Sequence, residues 1–211
     1  MTTVTPRRSF REQMLDVRHE AILQATRQLL CQKNFAAMTM DDVAGAVGIA
    51  KASLYKHFSS KDALCCAAVV QMLAQVRSYL EALAPDAPPL EKLRAVVGWS
   101  LQRLLAQEIP PWPGSHSPLR ALLQAHQDCW SEWLLVSQWL EQWVLEAQQQ
   151  GAIDASLPPR VVLYTLYARA CDPAVDFLHS TGDYSDADIR KILGGNLLRA
   201  WTAIEAGSEA R

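Results

Sequence analysis

No apolar run in the 211-residue chain reaches the ~18 residues that would cross a bilayer, because polar residues break every one. Arg7, Arg8 and Arg11 near the start are not followed by an apolar segment, so no secretory signal is expected. The expectation is a cytoplasmic protein with no membrane partner. Strand signals are missing as well: β-branched residues do not cluster and period-two alternation is never sustained. The five cysteines (31, 65, 66, 129 and 171) are odd in number and contain no CxxC pair, which speaks against a zinc knuckle. They read as reduced, mostly buried thiols; a redox-sensing thiol is the alternative, and nothing in the sequence favours it.

Charge is short overall but unevenly placed. The formal net charge is -2. Up to residue 61, however, nine Lys/Arg face five Asp/Glu, and the remainder carries eleven against seventeen. A basic first segment on an acidic body suits a local polyanion-binding module, although a solvated charged face gives the same count.

What the chain does have is helical periodicity. Leu15, His19, Ile22, Leu23, Thr26, Leu29 and Leu30 recur at helix spacing from about Arg11 to Lys33, and Asn34, a residue tolerant of the left-handed region, stops the run. Thr39 caps a short second helix, with Asp41 and Asp42 at its positive end and Gly48 after it. Ala50 to Phe58 forms a third short helix, and Ser60 opens a fourth that runs from Lys61 to about Leu83, where Pro85, Pro88 and Pro89 break the chain. Further helices are expected over about 90–107, 118–127, 128–150, 159–180 and 185–206. Pro173 should kink or break the eighth. The reading is an all-α fold of about nine helices with short connections.

The span from Thr39 to Phe58 is the informative one. Two short helices joined by a turn at Gly48-Ile49 have helix-turn-helix spacing. On the second, Leu54 and Phe58 lie four apart and can pack inward, while Lys51, Ala52, Ser53, Tyr55, Lys56 and His57 supply small and polar groups suited to a major groove. A packed Tyr55–His57 pair serving only the core is the plainer alternative.

The run Thr39-Met40-Asp41-Asp42-Val43-Ala44, then Val47-Gly48-Ile49-Ala50-Lys51-Ala52-Ser53-Leu54-Tyr55-Lys56-His57-Phe58-Ser59-Ser60-Lys61-Asp62-Ala63-Leu64, resembles the DNA-binding domain of the TetR family, and Ile22 to Leu30 is similar to that family's first helix. The similarity covers about residues 16–66. It implies a flexible basic arm (1–15), a helix-turn-helix domain (16–70) and an effector-binding and dimerisation domain (71–211), with the functional boundary inside the fourth helix. It also implies residue roles: Thr39 and Lys61 touching phosphates, Tyr55 and His57 on the backbone, and Lys51, Ala52 and Ser53 near base edges. The implied protein is a homodimeric, ligand-responsive repressor of a palindromic operator, without cofactor or metal and not an enzyme. Two positions depart from the family pattern. Ala50 stands where Ser or Thr is common and removes a capping hydroxyl; Asn34 stands where Gly is usual. The Arg7–Arg11 arm reads either as a disordered basic tail or as a minor-groove arm.

All seven tryptophans lie after residue 98. Trp130 and Trp133 share one side of their helix, and Trp139 and Trp143 the opposite one. One pair can border a cavity for a planar or greasy effector while the other packs, or all can be core. The residues assigned to the effector pocket are Trp99, Trp130, Trp133, Tyr167 and Phe177. The dimer contact, on the resemblance, falls to the last two helices through Leu163, Leu166, Gly194, Leu197, Leu198 and Trp201, where small residues permit close approach. Asp172, Asp176 and His179 share a face, readable as a cation site or as an exposed acidic surface. Ser115-His116 lacks the turn and the oriented base of an acyl hydrolase. A helical adaptor that binds only proteins is the remaining rival.

Overall fold

The computed structural model describes residues 9–110, 117–170 and 173–202, with side chains except at 11, 170, 173, 176 and 196–202. Ten helices and no strand occur among the described residues: α1 (Phe10–Ala37), α2 (Met40–Val47), α3 (Lys51–His57), α4 (Lys61–Ala82), α5 (Pro89–Leu105), α6 (Pro118–Ala125), α7 (Gln127–Gln149), α8 (Pro159–Ala170), α9 (Pro173–Thr181) and α10 (Asp186–Thr202). The expected single helix over 159–180 is two, because proline has no N–H for the ladder and its ring clashes with the preceding turn; α9 begins at Pro173.

Local chemistry sets the helix ends. Ser9 and Glu12 form a reciprocal capping box at the start of α1. Asn34 does leave the helix, at φ 63°, but its side-chain oxygen accepts from the N–H groups of Ala36 and Ala37 and restarts one more turn. Gly48 ends α2 at φ 72°, where a β-carbon would be strained.

Two cores divide the molecule. The first joins Ile22, Leu23 and Leu30 of α1, Val43 of α2 and Leu54 of α3 to Leu64, Val69 and Leu73 of α4. It also takes in Leu119 and Leu123 of α6 and Cys129 of α7, so it reaches well beyond the helix-turn-helix. The second joins Leu80 of α4 to Leu93 and Leu101 of α5, Leu140 and Val144 of α7, Leu163 and Leu166 of α8, and Ile189 and Leu193 of α10. Each such side chain contributes about 1.5–3 kcal/mol on full burial.

Helix α4 runs from the first core into the second. By length and mean hydropathy alone it would pass for a membrane span, though Gln71, Gln75 and Arg77 interrupt its apolar positions. Here Leu64, Val69, Met72, Leu73 and Leu80 are buried against other helices, and Val70 and Val76 are half-buried. Cys65, Cys66 and Cys129 are buried and Cys31 half-buried. Burial pushes the thiols of Cys65 and Cys129 up to about 12, which leaves them unionised and poor nucleophiles.

Candidate nucleic-acid interface and apolar cavity

The first site is built outward from a cap. Thr39 ends the extended stretch before α2, and its hydroxyl accepts from Asp42 N at 3.2 Å. Asp42 answers by accepting from Thr39 N and Thr39 Oγ1, both at 2.9 Å, and from Lys33 Nζ at 2.8 Å. The Lys33 ammonium, then the two Thr39 donors, hold the Asp42 carboxyl down at about 2. Sequence reasoning noted Asp42 as a dipole charge and missed Lys33, which sits on a different helix.

The angular order of α3 then follows from 100° per residue. Lys51, Tyr55, Ala52 and Lys56 are exposed and occupy one arc of about 140°. Ser53 and His57 lie beyond Lys56, half-buried, and Leu54 fills the inward side at 0% exposure. Phe58, just past the helix, is buried and stacks on His19 of α1 with ring centroids 5.1 Å apart. The polar arc is therefore carried by a helix whose opposite side is fixed in the core. Lys51 Nζ lies 2.7 Å from Asp41 Oδ2, and that hydrogen bond raises the Lys51 pKa, so the cation persists. Ala50 caps α3 with no side-chain hydrogen bond, as its missing hydroxyl requires.

Lys61 is placed differently from a free phosphate contact. Its ammonium donates to the carbonyls of Phe35 at 2.9 Å and Met38 at 3.1 Å, and lies 4.4 Å from the Phe35 ring centroid. Two of its three N–H groups thus close the end of α1 and one remains. Thr39 is likewise engaged in its own cap while still exposed.

The second site is a cavity of about 80 Å³ between α4, α5, α7 and α8. Met72, Val76, Val96, Trp99, Trp133, Val136, Leu140, Leu166 and Tyr167 face it, with Ile109 and Pro110 from the segment after α5. Trp133 packs on Tyr167 at 4.5 Å between centroids, and Trp99 stacks on Tyr79 at 5.0 Å. The Tyr167 hydroxyl donates to Ser137 Oγ at 2.7 Å, and burial pushes its pKa up. Of the five residues assigned to the pocket, the structure brings together Trp99, Trp133 and Tyr167. Trp130 lies instead in a separate small crevice with Arg120, Gln124 and Cys129. Phe177 is 68% exposed on α9 and lines neither space. The aliphatic members of the wall were missed, since their i, i+4 spacing on separate helices marks them only as core.

The dimer residues are also re-placed. Leu163 and Leu166 are buried within the chain's own second core, and a β-carbon at Gly194 would meet Val97 and Leu101 of α5 at 3.9 and 4.0 Å. They face inward because α8 and α10 pack on α5. The side chains of Leu197, Leu198 and Trp201 fall outside those described, as do Asp172 and the Asp176 side chain. His179 is exposed and sits 3.6 Å from Asp186.

Residues 22–68 match the family described as bacterial regulatory proteins, tetR family. The uncharacterized HTH-type transcriptional regulator YerO of Bacillus subtilis is 30% identical over 87 residues, 40% of this chain and 30% of that protein, so the match spans less than a third of the relative's length. Two solved structures share the fold. A TetR-family regulator from Agrobacterium tumefaciens is 22% identical, with a TM-score of 0.64 over 89% of this chain and 98% of that one. The regulator FadR from Bacillus subtilis, in complex with stearoyl-CoA, is 16% identical, with a TM-score of 0.64 over 85% and 97%. The helix-turn-helix thus matches the tetR family of bacterial regulatory proteins over residues 22–68, and the all-α architecture around it is that of the solved structures.

Proposed function

We propose that the protein is a homodimeric transcriptional repressor that reads a two-fold symmetric operator through α3 and releases it when an apolar small molecule fills the cavity. The observation that carries the DNA-reading half is the exposed arc of Lys51, Ala52, Tyr55 and Lys56 on a helix anchored by Leu54. In that reading Lys51 and Ala52 meet base edges, with Ser53 at the margin. Tyr55, Lys56 and His57 hold the backbone, as does the spare N–H of Lys61. Lys51 exchanges its Asp41 partner for a base. Thr39 fixes the α2 N-terminus, whose N–H groups face a phosphate.

The dimer contact is assigned to the outward side of α8, where Val161 and Tyr164 are 49% and 64% exposed, rather than to the inward leucines. Two copies related by a two-fold axis would present their α3 helices about 34–36 Å apart, one turn of DNA. Acting on DNA places the protein in the cytoplasm.

Release is a population shift: the effector must favour a state with another α3 spacing, or it does nothing. Two connections support the coupling. Met72, Leu73 and Val76 of α4 line the cavity, and the same helix holds the first core. Ile109 and Pro110 also line it, while the neighbouring Gln107, strained at φ 53°, accepts a hydrogen bond from Cys31 of α1 at 3.6 Å. An apolar effector follows from the near absence of polar groups in the wall.

The test is selection of bound duplexes from a random pool. A recovered site with two-fold symmetry and a steep loss of affinity with salt supports the reading. A protein that ignores every duplex in dilute buffer returns it to the class of helical adaptors.

A further inference from the structure

Ser100 carries a hydroxyl that the fold does not use. It lies in mid α5 at 8% exposure and lines the apolar cavity beside Val96 and Trp99. A buried helical hydroxyl ordinarily bonds the carbonyl four residues back, as Thr26 does with Ile22 at 2.8 Å. Ser137 does the same with Trp133 at 2.8 Å. Ser100 makes no such bond, and its Oγ is open to the cavity rather than sealed in the core.

A water in the cavity is weakly held: it wants two to four polar partners, and the polar side chains among the described lining residues are Ser100, the indoles of Trp99 and Trp133, and Tyr167, whose proton is already given to Ser137. The other described residues facing the space offer hydrocarbon, the Met72 thioether and the backbone of Ile109 and Pro110. A hydroxyl left open to an apolar cavity is a hydrogen-bonding position that a ligand can fill. A ligand that brings its own acceptor on an apolar body satisfies it and excludes water at the same time. Orphaned donors are rarer in proteins than under-satisfied acceptors, which favours an acceptor on the ligand.

We propose that Ser100 is the polar anchor of the effector site, and that the effector is an apolar molecule carrying a carbonyl-type oxygen part-way along its length. This rests on the cavity being the effector site. Trp99 and Trp133 set a slim or flat carbon body against the walls, and the Ser100 O–H fixes its register along the cavity. Recognition by one hydrogen bond in hydrocarbon surroundings discriminates sharply against the same shape lacking the oxygen.

The probes are 2-pentanone and 2-methyl-1-pentene, which differ only in exchanging C=O for C=CH2. Each is titrated into the full chain and followed by tryptophan fluorescence and by the rise in Tm that a native-state ligand produces. The ratio of ketone to alkene affinity should be about fivefold higher in the wild type than in Ser100→Ala, the worth of one neutral hydrogen bond. Ser100→Ala should lose that advantage through weaker ketone binding and keep its affinity for the alkene. Its Tm without ligand should be unchanged or higher, since no bond is lost and alanine is the better helix former. A ketone-to-alkene affinity ratio that is the same in both proteins overturns the anchor and leaves the cavity as a binding site. A lowered Tm in the ligand-free variant also overturns it, by revealing a structural bond. If neither probe binds at all, the cavity reading fails, and Ser100 with it.

Discussion

The α3 surface and the apolar cavity are built by opposite means. Around α3, the caps of the flanking helices at Thr39 and Ser60 and one inward leucine set which way the side chains point. In the cavity, residues from four helices and one connecting segment meet, and no two of those elements are related by a local rule. The first site is specified by short-range chemistry and is preformed; the second is specified by packing and at about 80 Å³ is smaller than the ~150 Å³ apolar cavity that holds benzene. In the proposed function the α3 surface acts as it stands, whereas the cavity must enlarge to admit a ligand of benzene's size.

The comparison can be broken at several strengths. Leu54 is fully buried, so Leu54→Ala should cost about 3 kcal/mol and loosen the reading head; denaturant unfolding that shows no loss would mean that α3 is not anchored as described. Lys51→Ala should weaken operator binding by about 1–3 kcal/mol. Its Asp41 pair is exposed on both sides, so stability should move by less than about 1 kcal/mol. Equal losses in both measurements would make Lys51 a structural residue. Ala50→Ser restores a hydroxyl at an extended N-cap and should add about 1 kcal/mol, read as a higher denaturation midpoint.

The smallest effect is in acid. Asp42 is held at about 2 against an ordinary value of 3.8. A depressed folded-state pKa gives stability that is complete above the unfolded value and lost as pH falls from 3.8 towards 2. Asp42→Asn should flatten that part of the stability-versus-pH curve; an identical acid limb in both proteins would show that the Lys33–Asp42–Thr39 cluster does not form.

The sequence made one half far more legible than the other. Thr39, Gly48, Leu54 and Ser60 act within their own turns, so their positions in the chain fix their roles. Lys61 shows where this ends: its residue type and register suggest a phosphate, yet its nearest acceptors are carbonyls brought round by α1 from residues 35 and 38. In the second half, helical angles separated Trp133 from Trp139 correctly. They could not say that Trp130 turns to α6, that Phe177 turns to solvent, or that Leu163 and Gly194 pack inside one chain. Those outcomes depend on which helix lies opposite. The break at Pro173 was visible because it is local.

The central claim is that the two sites are wired together through α4 and the Ile109–Pro110 segment. Val96→Phe places a benzyl group where an effector would sit, so operator affinity of this variant against the wild type measures the wiring without knowing the ligand. The account expects a tenfold or greater loss of affinity with helix content intact. An unchanged operator affinity in a folded variant would contradict it.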